Sequence, residues 1–354
     1  MVGMGRAGRA LTATRGAQAA IAADAVGLLA GYALDALLGD PRRFHPVAGF
    51  GQAAGALESR LYAPNRRAGL AFTAVAVGVP VAAGLAASVL TRRQPVARAA
   101  LVAAATWTVL GGRTLRRESA VMAGHLANAD LVAARGRLNH LCGRDPSALD
   151  EPELARATVE SVAENTSDAV VAPLLWGGLA GLPGLLGYRA ANTLDAMVGH
   201  RSPRYARFGT PAARLDDLLN LLPSRLTGLL TIAAAPLVRG ERAEALRVWR
   251  RDRNDHPSPN AGQCESAMAG ALGVRLGGRN VYFGRTETRP FLGDGPRPSA
   301  SHLRRAGLLS AAAGVGAAAL AAGLALTRSA FGRSVGRSVL GRSVLGRRAR
   351  AGAR

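Results

Sequence analysis

The chain has 354 residues, of which 49% are hydrophobic and only 4% aromatic, and its mean hydropathy is +0.11. Its formal net charge is +22, and all 45 of its Lys or Arg residues are Arg. The lack of Lys excludes a Walker A loop and a pyridoxal enzyme with its Schiff-base Lys, and the scarcity of aromatic residues near the Arg clusters argues against a nucleic-acid partner.

Six apolar segments are candidate membrane helices, because lipid-facing helices need ~20 mostly apolar residues to cross the hydrocarbon core. In chain order they are Ala17–Leu38, Ala68–Leu90, Val96–Gly112, Ala169–Ala191, Leu226–Val238 and Ala306–Thr327. The second and the last are the clearest, since Arg residues flank both of their ends. The fourth contains Pro173 and Pro183, which favour a kinked or re-entrant segment, and the fifth is short for a straight crossing.

These segments predict an all-α, polytopic integral membrane helical bundle with polar active-site loops. We expect a basic N-terminal segment (1–16), a helical membrane domain (17–327) and an Arg-rich, low-complexity tail (328–354) that is disordered. The N-terminal Arg residues resemble the charged region of a signal peptide, but Asp24 in the apolar stretch favours a retained first helix. The basic termini favour an even number of crossings with both ends in the cytoplasm.

Polar segments between the apolar ones carry the chemistry, and the first is Gly39-Asp40-Pro41 followed by His45. Gly and Pro predict a sharp turn that places Asp40 at the membrane edge, although a turn with a solvated Asp explains the same residues.

The second polar segment carries three acidic residues at helical spacing. Glu160, Glu164 and Asp168 lie at i, i+4 and i+8, with Asn165 beside them. Stacked carboxylates repel each other unless a cation compensates, so this stripe predicts a Mg²⁺ or substrate-amine site. A solvated acidic stripe is the alternative.

The third segment is the strongest internal sign of an active site. Asn192 and Asp195 share a helix face, and a cluster of acids, amides and arginines follows. Its members are Arg214, Asp216, Asp217, Asn220, Pro223 and Arg225. So many polar groups near a bilayer are costly unless they hold a charged ligand, although helix packing alone accounts for isolated Asn and Asp.

The fourth segment, Arg251–Gly262, contains His256, Ser258 and Asn260 in an irregular loop before Glu265. The residue types predict an anion-binding nest of backbone N–H groups at a helix start, and an ordinary structured turn is the alternative. Scattered His residues, and Cys142 and Cys264 outside any C-x-x-C pattern, predict neither a zinc site nor a disulfide.

Five phrases in this order resemble the adenosylcobinamide-phosphate synthase (CobD/CbiB) family of cobalamin biosynthesis. They are Gly39-Asp-Pro with His45-Pro-Val, Thr158-Val-Glu-Ser-Val-Ala-Glu-Asn-Thr, Asn192-Thr-Leu-Asp-Ala-Met-Val-Gly, Leu215-Asp-Asp with Pro223 and Arg225-Leu-Thr, and His256-Pro-Ser-Pro-Asn-Ala-Gly with Ala267-Met-Ala-Gly-Ala-Leu-Gly. The resemblance covers roughly residues 20 to 325. One departure is Gln263-Cys264 with Ser266, where the family usually carries a bulky aromatic residue, and this puts the shape of that loop in doubt.

The resemblance implies a multi-pass protein of the cytoplasmic (inner) membrane, with active-site loops that face the cytoplasm. The implied reaction joins adenosylcobyric acid to (R)-1-amino-2-propanol, or its O-phosphate, with Mg²⁺ and ATP consumed. We expect catalytic roles for Glu164, Asp195, Asp217 and Glu265, metal binding by Glu160, Asp168 and Asp216, and binding of substrate or phosphate by Asn165, Asn192, Arg214, Arg225, His256, Ser258 and Asn260. Asp40 and His45 complete the predicted site residues.

Two alternatives remain open on the residues alone. A membrane transporter of an anionic solute would also use intramembrane charges and broken helices, but it should show an internal repeat, and none is evident. A membrane scaffold for other cobalamin-pathway enzymes would not need the acidic stripe. Lipid, the corrinoid and the amine substrate are the expected partners, together with such enzymes if the chain acts in a complex.

Overall fold

The computed structural model describes residues 22–41, 45–200, 202–282 and 285–351, with side chains described outside 281–286 and 329–351. The predicted N-terminal segment (1–16) and the side chains of nearly all of the predicted tail lie outside the described residues. The division into three segments therefore stays a prediction.

Helices dominate the described chain. In chain order they are α1 (22–38), α2 (Pro46–Leu61), α3 (Arg66–Leu90), α4 (Pro95–Val109), α5 (Gly112–Ala127), α6 (Leu131–Leu138), α7 (Glu151–Thr166), α8 (Ala172–Ala180), α9 (Leu182–Leu194), α10 (Tyr205–Phe208), α11 (Thr210–Ala234), α12 (Arg242–Asp252), α13 (Ala261–Leu272) and α14 (Ala300–Ala351). Two π-helical turns, π1 (Ser167–Val171) and π2 (Asp195–Gly199), follow α7 and α9, and a 3₁₀ turn (Ala235–Val238) ends α11.

Four helical stretches of the described chain are long and apolar enough to cross a membrane, so the predicted polytopic helical bundle is confirmed. They are Arg66–Leu90, Pro95–Ala127, Thr210–Val238 and Ala300–Arg328. The predicted segment Leu226–Val238 was too short, because the polar side chains of Asp216, Asp217 and Asn220 interrupt the apolar pattern of a helix that begins at Thr210. Of Ala17–Leu38, residues 22–38 are helical and 17–21 lie outside the described residues.

The predicted segment Ala169–Ala191 is a helical hairpin rather than one helix. Gly181 has a φ of 68°, a left-handed conformation that Gly adopts without strain, and it separates α8 from α9. With nine and 13 residues, neither helix reaches the ~20 residues of a straight crossing. The helices pack closely, since a Cβ at Gly184 would lie 2.4 Å from the Trp176 carbonyl oxygen. The hairpin therefore brings the residues before α8 and after α9 to one end.

The membrane-spanning part is held by close helix contacts and one buried ion cluster. A Cβ at Gly31 of α1 would lie 2.4 Å from the Thr106 Cβ of α4, so only Gly permits this approach. Asp24 of α1 is 1% exposed and accepts hydrogen bonds from Arg98 of α4, at 2.5 and 2.9 Å, and from Arg328 of α14. Three helices are thus tied together at one end of the bundle.

A second core lies beside the first, and an antiparallel β-hairpin closes it. Buried residues of α5–α7, α12, α13 and the first turns of α14 form this core, and strands β1 (Leu276–Tyr282) and β2 (Arg285–Leu292) follow α13. The strands pair Leu276 with Leu292, both fully buried, and Gly278 with Arg289. The hairpin is an addition to the predicted all-α fold. Helix α7 starts at a capping box, in which Asp150 and Glu153 each accept the other's backbone N–H, at 2.8 and 3.0 Å.

Candidate active site

Three of the four predicted polar segments meet at one cavity of about 190 Å³. The end of α7, both π-turns, α11, the loop before α13 and strand β2 contribute its walls. The lining residues are Glu164, Ser167, Asp168, Asp195, Asp216, Asp217, Asn220, Ser224, His256, Ser258, Asn260, Ala261, Cys264 and Arg289. The contribution of β2, through Arg289, was not predicted from the sequence.

Two of the aspartates come from the π-turns at the open end of the α8–α9 hairpin. Asp168 lies in π1 and Asp195 opens π2. Burial, followed by the nearby Asp216 and Glu164 carboxylates, raises the pKa of Asp168 well above its usual range. Burial, followed by Asp217, raises the pKa of Asp195 to about 6. Carboxylates that repel each other in this way provide a strong site for a cation.

Asp216 is held in place by two side-chain amides, one at each carboxylate oxygen. Asn192 Nδ2 donates to Oδ1 at 3.3 Å, and Asn220 Nδ2 donates to Oδ2 at 3.0 Å. The amides are oriented in turn, because Asn192 Oδ1 accepts from Arg189 at 3.5 Å and Asn220 Oδ1 accepts from Tyr188 at 2.9 Å. Outer hydrogen bonds of this kind fix the orientation of a ligating carboxylate.

The loop before α13 is tied to α11 beside the aspartates. Asn260 Nδ2 donates to the Asp217 carbonyl at 2.9 Å, and Asn260 Oδ1 accepts from the Ser224 hydroxyl at 3.1 Å. Ser258 Oγ accepts from the backbone N–H groups of Asn260 and Ala261, at 3.3 and 3.2 Å. These two N–H groups are therefore satisfied within the loop. The predicted anion nest therefore does not use these two N–H groups and stays a prediction for the rest of the loop, while Ser258 and Asn260 line the cavity.

Glu164, His256 and Glu265 form a compact group, and the first two of them line the cavity. One ligand atom each of Glu164, His256 and Glu265 lies within 4.8 Å of the others, a spacing that suits a metal ion. However, His256 Nδ1 accepts from the Ser258 N–H at 3.0 Å, so a neutral imidazole carries its proton on Nε2. Nε2 then faces Glu265 Oε1, 3.8 Å away, as a donor and not as a metal ligand. Burial, followed by Glu164, raises the pKa of Glu265.

Glu160 lies away from the cavity, which corrects its predicted place in the metal site. It is 3% exposed and pairs with Arg144 at 2.6 Å and with Arg156 at 3.2 Å. Its Oε1 also accepts the Gly277 N–H at 2.8 Å. Burial raises the pKa of Glu160, but the two Arg residues together lower it below the ordinary value. Its oxygens are committed to these partners, so only Glu164 and Asp168 of the acidic stripe belong to the cavity.

Several predicted binding residues also lie outside the cavity wall. Asn165 Nδ2 donates to the Ser161 carbonyl at 2.9 Å, Arg225 donates to the Leu221 carbonyl at 2.7 Å, and Arg214 is exposed on α11. None of the three lines the cavity, because Asn165 and Arg225 bond to carbonyls of their own helices and Arg214 faces solvent.

The Gly-Asp-Pro segment is likewise separate from the acidic cavity. Asp40 lines a second cavity of about 360 Å³ with Arg113 and Arg117, while His45 caps α2 by accepting the Val47 N–H at 3.2 Å.

The donor set of the cavity fits Mg²⁺, which prefers carboxylate oxygens and retains several waters. Asp168, Asp195, Asp216 and Asp217 supply hard oxygen donors from three elements, and the amide bonds to Asp216 orient one of them. Cys264 also lines the cavity and is buried, with its thiol 3.7 Å from the Ser224 carbonyl.

A family model and individual relatives of known name agree on one protein family. A family model described as CobD/Cbib protein matches residues 28–311. The chain is 50% identical over 305 residues to the cobalamin biosynthesis protein CobD of Mycobacterium tuberculosis (strain ATCC 25618 / H37Rv), an alignment that covers 86% of this chain and 96% of the relative. The protein of that name from Geobacter metallireducens is 46% identical over 270 residues, covering 75% and 85%. No solved structure matches the chain.

Proposed function

The chain belongs to the CobD/Cbib protein family of cobalamin biosynthesis, and on this premise we propose that it joins adenosylcobyric acid to (R)-1-amino-2-propanol, or its O-phosphate, by an ATP-dependent amide ligation. The observation that carries the proposal is the cavity in which five carboxylates from α7, the two π-turns and α11 meet one Arg. A multi-pass membrane protein fits a pathway with large corrinoid substrates, and ATP requires the cavity to open to the cytoplasm.

Amide formation from a carboxylate first requires activation. The substrate carboxylate attacks the γ-phosphorus of ATP, which forms an acyl phosphate and releases ADP. Nitrogen of the amine then attacks the acyl carbon, the C–O bond to phosphate breaks, and the amine proton leaves to a base. Bound Mg²⁺ would neutralise phosphoryl oxygens in both steps.

The residues of the cavity divide between two tasks in this scheme. Asp168, Asp195 and Asp216 hold Mg²⁺, because they line the same cavity and two side-chain amides orient the buried Asp216. Glu164 accepts the amine proton, since its side chain is 37% exposed at the cavity and is placed to meet an entering substrate. Asp217 accepts the first proton of the ammonium form, which leaves a neutral amine that can attack before Glu164 takes the second proton. Glu265 orients His256 and Arg289 from behind.

The test is an assay of detergent-purified protein with adenosylcobyric acid, each amine in turn, and Mg-ATP, followed by mass spectrometry of the product. The Asp216→Asn variant is expected to lose activity by about 100-fold or more, as a metal-binding carboxylate should. Asp255→Asn is the matched control, because Asp255 is an exposed aspartate of the loop before α13 and does not line the cavity. Well-folded wild-type protein that forms no amide with either amine would contradict the ligase.

Transport of an anionic solute is the second candidate, and one observation favours it. Asp216 is the seventh residue of a helix long enough to cross the membrane, and a charged residue within such a helix suits a transport pathway. However, this position is less than two turns from the helix start, so a substrate in the aqueous phase can reach it there as well. Uptake of labelled substrate into protein-containing vesicles without ATP would support the transporter over the ligase.

A further inference from the structure

A basic pocket lies where the β-hairpin packs against the start of α7. It has a volume of about 110 Å³ and shares no lining residue with the acidic cavity. Its lining residues include one acid, Glu153, and four arginines, which are Arg156, Arg275, Arg279 and Arg297. The excess of positive charge favours an anionic ligand.

Two of the four arginines have N–H donors that are available to a ligand. Arg275 and Arg279 are exposed, and among the described side chains no ion pair engages either of them. Arg156 differs from them, because it is buried and donates to Glu160 at 3.2 Å and to Asn280 at 2.8 Å. Arg156 therefore belongs to the frame of the pocket, whereas Arg275 and Arg279 face the solvent.

The acidic side chains beside the pocket have their own partners. Glu153 Oε2 accepts the Asp150 N–H at 3.0 Å in the capping box of α7. Asp150 also pairs with Arg297 at 3.9 Å, with both side chains more than half exposed. Exposed ion pairs are weak, so a ligand with more than one negative charge can displace Asp150 from Arg297.

An exposed aromatic ring completes the pocket. Phe291 of β2 is 60% exposed, and the Arg275 guanidinium carbon lies 4.7 Å from the centre of its ring. Gly278, at a φ of 97°, keeps the edge of this ring uncrowded, because a Cβ there would lie 3.1 Å from Phe291 Cε1. An aromatic ring stacks on a nucleobase, and guanidinium groups bind phosphates, so the two together suit a nucleotide.

The pocket lies on the aqueous side of the acidic cavity. Helices α7 and α8 run beside α14 in the same direction, since Thr166 bonds to Ser310 and a Cβ at Gly178 would lie 2.7 Å from the Ala321 carbonyl oxygen. Arg156 lies about 15 Å before Thr166 along α7. The membrane-spanning stretch of α14 has 29 residues and is about 43 Å long, which exceeds the ~30 Å of hydrocarbon. Its first turns pack with α7 in the second core, so a soluble ligand can reach the start of α7.

Beyond the ligation itself, we propose that this basic pocket is a nucleotide-binding site. The phosphates accept hydrogen bonds from Arg275 and Arg279, and the base stacks on Phe291. Binding here needs no metal ion, because guanidinium groups neutralise the phosphates directly. The acidic cavity differs in this respect, since its carboxylates repel phosphates unless a cation lies between them.

The test is calorimetric titration of ADP into the detergent-purified protein in the presence of EDTA. Removal of divalent cations prevents binding of phosphates at the acidic cavity, so the signal reports on the basic pocket. Arg275→Gln and Arg279→Gln should each raise the Kd for ADP about tenfold or more, as the loss of a hydrogen bond to a charged group does. Arg250→Gln is the matched control, because Arg250 is an exposed arginine of α12 that does not line the pocket.

Phe291→Ala separates the base from the phosphates. It should weaken the binding of ADP about fivefold or more and leave the binding of inorganic pyrophosphate unchanged, because pyrophosphate has no base to stack. Unchanged far-UV circular dichroism shows that each variant is folded. The ligase assay has no part in this test, so failure of the ligation and failure of the nucleotide site are distinguishable.

Three results would overturn the nucleotide site. The first is no binding of ADP to wild type in EDTA, and the second is equal weakening of ADP and pyrophosphate by Phe291→Ala. The third is ADP binding that both Arg variants leave unchanged while they abolish the extra thermal stability of the protein in nanodiscs of anionic over neutral lipid. In that case the arginines contact the membrane surface.

Discussion

Glu160 and Glu164 lie one turn apart on α7, yet they belong to two different electrostatic regions. Glu160 is 4% exposed at its side chain and is surrounded by two Arg residues and a backbone N–H. Glu164 is 37% exposed at its side chain and faces the four aspartates of the cavity. In the first region two Arg side chains surround one carboxylate and hold α7 against the hairpin, whereas the second region has five carboxylates and one Arg among its lining residues.

The largest effect should come from exchanging the acids of this pair, one at a time, for Gln. Glu160→Gln leaves Arg144 and Arg156 without their buried counter-charge, so we expect a loss of about 3–5 kcal/mol in the free energy of unfolding. Glu164→Gln should leave the melting temperature near that of wild type and reduce kcat by about 100-fold or more, as removal of a general base does. Thermal unfolding in detergent and the amide assay measure the two effects.

Arg297→Gln is the control for the stability half of this comparison. Arg297 pairs with Asp150 at 3.9 Å, with both side chains more than half exposed, and exposed pairs contribute little to stability. A Glu160→Gln protein that melts with wild type, or a Glu164→Gln protein that ligates normally, would remove the distinction between the two regions.

The next effect is the pH dependence of Mg²⁺ binding. Ionised carboxylates bind Mg²⁺, and the pKa of Asp195 is about 6, so the rise in melting temperature on adding Mg²⁺ should be large at about pH 7.5 and small at about pH 5. Without Mg²⁺, the stability of the protein depends on pH in the opposite direction. A folded-state pKa above the unfolded value of about 3.9 makes the metal-free protein less stable as the pH rises through about 6. An equal Mg²⁺ effect at both pH values would contradict the site.

The smallest effect is expected at the end of α7, where this helix meets α14. The Thr166 hydroxyl donates to Ser310 Oγ at 2.7 Å in a fully buried contact. Ser310→Ala should reduce the free energy of unfolding by about 1 kcal/mol and leave the amide assay unchanged, because one neutral hydrogen bond is lost between residues that do not line the cavity. A drop in kcat instead would mean that α14 positions the cavity.

The sequence allowed the membrane bundle and most of the cavity to be predicted, because apolar length and clustered acids are local signals. Asp168, Asp195, Asp216 and Asp217 come together as expected. Spacing could not separate Glu160 from Glu164, since the difference lies in Arg144, which the chain brings in from a preceding loop.

Arg289 could not be predicted for a related reason. It is one of 45 Arg residues, and only the pairing of β2 with β1 selects it. The β-hairpin itself was missed because its strands lie within a segment rich in Arg and Gly, where no alternating apolar pattern marks a strand.

The two π-turns make the cavity sensitive to the number of residues as well as to their identity. In π1 the Ala172 N–H donates to the Ser167 carbonyl, five residues back, so the turn holds one residue more than an α-helix would. Deleting one residue there would remove the extra residue and let α7 run on into α8 as a regular α-helix, with the faces of the two helices still in register. Trp176, whose indole N–H donates to the Leu219 carbonyl at 3.0 Å, would keep its contact with α11. A single lost codon would thus spare the packing of α8 and act on the turn itself, which carries Asp168.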